Sequence, residues 1–172
     1  MDVAVFSSCW VEYAILHCVR SSKNVILHYE RTLANMPLWR IMVYHLAGGT
    51  CPFLAWCRAQ EPAVRGEFYS ALDTLRKERD WLDMESFKPL TRNHVGLGEI
   101  RFKLERREHQ NRIVRRFRPI GIWPPVVEHE FILLLGCEKG RNGILIPPDT
   151  FDLALDYKRR FQNGEGISYD LF

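Results

Sequence analysis

Gly98-Glu99-Ile100-Arg101-Phe102-Lys103-Leu104-Glu105 is the stretch that decides the fold. Its apolar side chains Ile100, Phe102 and Leu104 alternate with Glu99, Arg101, Lys103 and Glu105. A period of two puts the first set on one face of a strand and the second set on the other. Arg112-Ile113-Val114-Arg115-Arg116-Phe117-Arg118 comes six residues later and reads as its partner, with a hairpin loop over 106–110. The segment 98–118 holds eight Lys or Arg against three Glu, a local charge of +5 in a chain of net charge +3. Guanidinium groups gathered on one side of two neighbouring strands suit phosphate, and therefore RNA.

Outward from that hairpin, Met36 to His45 reads as a strand closed by Gly48-Gly49. Pro52 starts a short helix over 52–59. Glu61-Pro62 opens a longer helix over 62–78, with Val64, Phe68, Ala71, Leu72 and Leu75 at helical spacing. Lys88-Pro89-Leu90 is a short extended piece. Gly121 to Pro125 is expected to break the second basic strand. The apolar run from Glu130 to Cys137 reads as a central strand buried on both faces. Pro147-Pro148-Asp149 starts a last helix, which Asn163-Gly164 stops. The expected fold is α+β, an antiparallel-rich sheet of four to five strands with the N-terminal helices on one face and a C-terminal helix. Residues 1–37 are read as an N-terminal extension, with Met36 as an alternative start, and 38–172 as the domain.

Bulk properties narrow the function classes. The five cysteines are odd in number and form no CxxC, which fits a reduced, cytoplasmic protein. No close Cys/His pairs stand at ligand spacing, so no metal site is expected. Residues Val3 to Val19 are too short, and too polar at Glu12, for a membrane span, and no membrane partner is expected. Cys137 reads as inert core. Trp39, Trp56 and Trp81 are expected to pack under helices, and Trp123 to stand exposed in its Pro-rich loop.

The order of elements and three local motifs resemble the RelE/ParE toxin superfamily, and within it the HigB-like, phage-derived host-inhibition branch. The motifs are Trp39-Arg40-Ile41 in the first strand, then Lys88-Pro89-Leu90 before Gly96-Leu97-Gly98-Glu99-Ile100-Arg101-Phe102, and Arg112-Ile113-Val114 in the next strand. Glu130 to Cys137 followed by Lys139, Arg141 and Pro148 completes the series. A basic pair that is adjacent in the family is split here as Lys139-Gly140-Arg141, and Phe151 stands near the place of a family tyrosine.

The resemblance implies the toxin of a type II toxin–antitoxin pair, a ribosome-dependent mRNA endonuclease that needs no metal or cofactor. Its implied partners are a helix-turn-helix antitoxin, the ribosome and mRNA. Arg101, Arg112, Lys139 and His94 are the candidate catalytic residues. Lys88, Arg101, Lys103, Arg112, Arg115, Arg116 and Arg141 are the candidate RNA contacts. Arginine is a poor base, so the proton acceptor is sought in His94, His109 or a lysine. The alternative is a non-catalytic binding protein on the same fold, either a gyrase-directed inhibitor or a phage host-takeover factor.

Overall fold

The computed structural model describes residues 38–108 and 111–172; the expectation for residues 1–37 and the His109 candidate lie outside this range. Strand β1 (Arg40–Leu46) leads into helices α1 (Pro52–Ala59) and α2 (Pro62–Leu75). Strands β2 (Phe87–Pro89), β3 (Leu97–Ile100), β4 (Phe102–Glu108), β5 (Asn111–Phe117), β6 (Ile120–Ile122) and β7 (Glu130–Leu135) come next. The short strands β8 (Glu138–Lys139) and β9 (Leu145–Ile146), helix α3 (Thr150–Gln162) and strand β10 (Gly166–Asp170) complete the domain.

The helices begin where the chain supplies the means. Both α1 and α2 place a proline in the first turn, where an N–H has no helical partner. Cys51 Sγ accepts the Leu54 N–H at 3.4 Å and caps α1. Helix α2 buries Val64, Phe68, Leu72 and Leu75, a stripe at 3.6-residue spacing. Helix α3 ends at Asn163, with Arg159 and Arg160 against the negative end of its dipole.

The protein is mixed α+β, with three helices and ten strands in two sheets among the described residues. The larger sheet has the order β10-β1-β7-β6-β3-β2, and the smaller β4-β5-β8-β9. Among the described strands only the β1–β7 pair is parallel. This exceeds the four to five strands expected from sequence, for two reasons. The long strands are broken at Arg101, at Arg118-Pro119 and at Gly136-Cys137, so each is shared between the sheets. Pro119 has no N–H to continue the ladder, and the Arg101 N–H turns away to Ser86 O at 2.7 Å. A side chain at Gly136 would sit about 2.1 Å from the Trp56 ring. The second reason is β10, which pairs with β1 from Met42 to Leu46 and carries no sequence signal beyond five residues. The break in the second basic strand falls at Arg118-Pro119, and Gly121 and Ile122 belong to β6.

Side-chain alternation sorts two cores. Ile41, Val43, Phe131 and Leu133 meet Phe53 of α1 and Phe68 and Leu72 of α2. Met42, Tyr44, Ile132 and Leu134 meet Ala154 of α3 on the opposite face. Beneath α2 lies an aromatic cluster. Trp81 is fully buried, 4.5 Å from Trp39 and 5.1 Å from both Phe87 and Phe131, ring centre to ring centre. Trp123, expected to be exposed, stacks on Trp81 at 6.2 Å and packs against this core. Cys137 is fully buried, and burial pushes its thiol up to about 12. No helix among the described residues is long and apolar enough to cross a membrane.

Candidate nucleic-acid interface

Pairing in the β4–β5 hairpin runs from Phe102 opposite Phe117 to Glu108 opposite Asn111. The buried side chains Phe102, Leu104 and Phe117 define the inner face, toward α2. Arg106 and Arg115 share that face by alternation. Both reach Glu61 at the start of α2, Arg106 at 2.5 Å and Arg115 at 3.0 Å. Arg115 also binds both oxygens of Glu138, at 2.7 and 3.0 Å, and this hydrogen bonding holds its pKa above the usual value. Arg115 therefore ties the hairpin to α2 and β8, which leaves it poorly placed for RNA. Arg115→Met is expected to leave RNA affinity unchanged and to lower stability by about 1 kcal/mol or less, since its ion pairs are partly exposed. Filter binding and a thermal melt measure the two effects.

The outer face carries the opposite character. Lys103 lies directly opposite Arg116, and Arg116 lies directly opposite Lys139 of β8. Directly paired residues share a face, so three cations stand side by side across three strands. Like charges in this arrangement destabilise a sheet. Lys103 is relieved in part by Glu105 at 2.8 Å, a carboxylate that Arg112 also binds, at 2.5 and 3.0 Å. These contacts, with Lys103 first, hold the Glu105 carboxyl below its usual pKa. Arg116 and Lys139 make no ion pair among the described residues.

Beside this row lies a cleft of about 370 Å³, lined by Glu85, Ser86, Arg101, Phe102, Lys103, Arg116 and Arg118. Glu99 is buried behind it and accepts Arg101 Nε at 2.7 Å, with Arg118 Nε at 3.6 Å. The Arg118 side chain is 12% exposed, and its η-nitrogen donates to Phe117 O at 2.7 Å. Burial pushes its pKa down; Glu99 opposes this, while the positive charges of Arg101 and Arg116 add to it. Two guanidinium groups thus share one buried carboxylate, and the surplus positive charge faces the cleft. The Ser86 hydroxyl is buried and has no hydrogen-bond partner among the described residues. Lys88 stands directly opposite Glu99 on the edge strand β2.

A second cleft of about 460 Å³ is lined by Asn111, Arg112, Ile113, Val114, Arg116 and Arg141. Arg116 lines both. The structure therefore brings Arg101, Lys103 and Arg116 together at one cleft and Arg112, Arg116 and Arg141 at another, with Lys139 joined to Arg116 by register. Arg101 and Arg112 do not meet. They lie toward opposite ends of the ladder, ~20 Å apart along the strands at about 3.3 Å per residue. His94 is also separate: it sits in a single 3-10 turn (Arg92–His94) and stacks on Phe151 of α3, with ring centres 4.1 Å apart. No described histidine lines either cleft.

Arg118 and Glu85 are the charged cleft residues that sequence reasoning missed. For Arg118 a signal existed, since residues two apart on a strand share a face and Arg116 was already a candidate. Glu85 lies in a turn with no such pattern. Comparison with protein-family models, with curated proteins and with solved structures finds no match for this chain.

Proposed function

We propose that this protein is the toxin of a toxin–antitoxin pair, acting in the cytoplasm as a ribosome-dependent mRNA endonuclease of the RelE/HigB kind. The observation that carries this reading is the row Lys103–Arg116–Lys139 beside the Arg101–Arg118 cleft. A fold gains nothing from cations placed face to face, whereas a bound phosphate turns their repulsion into attraction. The order of strand, two helices, strand meander and helix supports the same family resemblance. Cleavage through the 2′-hydroxyl develops extra negative charge on the phosphate oxygens, and prepositioned guanidinium groups stabilise it. Arg101, Arg116 and Arg118 are assigned that role, with Lys103 and Lys139 guiding the strand. Arg112 and Arg141 hold the backbone farther along β5. Lys88 adds charge at the sheet edge. The partners in this reading are mRNA on the ribosome and a helix-turn-helix antitoxin.

The test is induction of the wild-type chain in cells, with mapping of RNA ends on translated messages. New ends that disappear with Arg116→Ala support the reading; harmless expression without new ends refutes it. A second reading, a non-catalytic binding protein directed at gyrase or another host protein, is favoured by one observation: no described histidine lines the basic cleft. Lys139→Ala further separates steering from chemistry. Its expected effect is a several-fold loss of RNA affinity at low salt that fades as salt rises. A loss that persists at high salt would give Lys139 a direct, desolvated contact instead.

A further inference from the structure

Strand scission through the 2′-hydroxyl requires a group that accepts its proton; His94 stacks on Phe151 away from the clefts, and Lys103 is paired with Glu105. Assigning this base deepens the nuclease reading and rests on it. Glu99 is unsuited, because protonating it would strip Arg101 and the largely buried Arg118 of their shared carboxylate. Glu105 is engaged by Lys103 and Arg112 and does not line the Arg101 cleft. Glu85 differs from both. It lines the cleft, is exposed, and has no ion pair or side-chain hydrogen bond among the described residues.

Its position is also fixed. Phe87 N donates to Met84 O at 3.1 Å and closes the turn that carries it. Ser86 O accepts the Arg101 N–H at 2.7 Å, which ties that turn to the arginine of the cleft. Phe87 is buried between Trp81 and Trp123 and anchors the other side. The backbone that carries this free carboxylate is thus anchored beside a cleft lined by four cations that can orient a phosphate.

We infer that Glu85 is the general base that takes the 2′-hydroxyl proton of RNA bound in this cleft. The carboxylate removes the proton, and the 2′-oxygen bonds to the adjacent phosphorus. The bond from phosphorus to the 5′-oxygen breaks, and that oxygen takes a proton from water. The products are a 2′,3′-cyclic phosphate and a 5′-hydroxyl end, and Glu85 returns its proton to solvent. Arg101, Arg116 and Arg118 stay protonated throughout and balance the phosphorane charge.

The experiment uses the full chain with programmed ribosomes and a defined mRNA, in single-turnover form. Glu85→Gln is expected to slow cleavage by roughly 10²–10⁴-fold, the usual contribution of a positioned base. RNA affinity is expected to hold or to tighten, because a negative charge leaves the cleft. Glu85→Asp, which keeps the carboxylate, should retain much of the cleavage that Glu85→Gln loses. Glu67→Gln, an exposed charge change on α2, should cut like wild type. A message with a single 2′-deoxy nucleotide at the cut site should stay intact. If wild type cuts and Glu85→Gln cuts within roughly threefold of it, Glu85 is not the base and the nuclease reading stands. If the deoxy message is cut, the 2′-hydroxyl route is wrong. If wild type cuts no message, the nuclease reading fails and the role of Glu85 fails with it.

Discussion

Trp81→Ala is expected to destabilise the domain by about 3–5 kcal/mol, the usual cost of removing a large buried aromatic. Trp81 is fully buried, and four aromatic rings, those of Trp39, Phe87, Phe131 and Trp123, surround it. Its indole N–H donates to Leu75 O at 2.8 Å, at the end of α2, so truncation also leaves that carbonyl without its partner. A loss of this size is a large share of the total stability of an ordinary domain, about 5–15 kcal/mol. Trp81→Phe keeps most of the packing and should lose about 1–2 kcal/mol. Urea unfolding of the two variants measures both values. A loss below about 1.5 kcal/mol for Trp81→Ala would show that this cluster does not anchor α2 to the sheet.

Arg101→Ala is expected to lower mRNA cleavage by about 10²–10³-fold, equivalent to the roughly 3–4 kcal/mol lost with one transition-state donor. Growth inhibition should fall with it. Arg112→Ala should be much milder. Arg112 is held by Glu105 and belongs to the second cleft, ~20 Å along the strands from Arg101. The contrast between the two arginines is the useful measurement, because sequence gives them the same standing. Circular dichroism checks that both variants stay folded. Equal loss in both would mean that the two clefts act as one site. Full toxicity in Arg101→Ala would remove the cleft from the chemistry.

The faces of the hairpin were legible, because alternation needs no partner to be read. Ile100, Phe102 and Leu104 turn inward as their spacing requires. The same rule separates Arg115 from Arg116: Phe117 is apolar and turns inward, so Arg115, two residues away, shares its side. What alternation does not reveal is register. That Lys103, Arg116 and Lys139 stand in one row depends on how three strands slide against one another, and the turns between them set this. The same holds for the separation of Arg101 from Arg112, which results from antiparallel pairing over the whole ladder. The sheet size was misjudged because a strand interrupted by one proline or one glycine reads as a single unit. Strand β10 was missed because five residues carry too short a pattern, and its pairing with β1 is a contact across most of the domain.

The most direct measurement concerns Arg116, the cation common to both clefts. If Lys103, Arg116 and Lys139 are kept face to face at a cost to the fold because they bind phosphate, removing the middle charge has two opposite effects. Arg116→Gln should raise stability at low salt by a few tenths of a kcal/mol to about 1 kcal/mol, as repulsion from two cross-strand cations is relieved. For a domain of this size that corresponds to a thermal midpoint about 1–3 °C higher. The same variant should bind single-stranded RNA more weakly, with a shallower dependence of affinity on salt by about 0.7 in the log–log slope. Higher stability together with weaker, less salt-dependent RNA binding is the predicted result. An Arg116→Gln protein that is less stable than wild type and binds RNA equally well would contradict it.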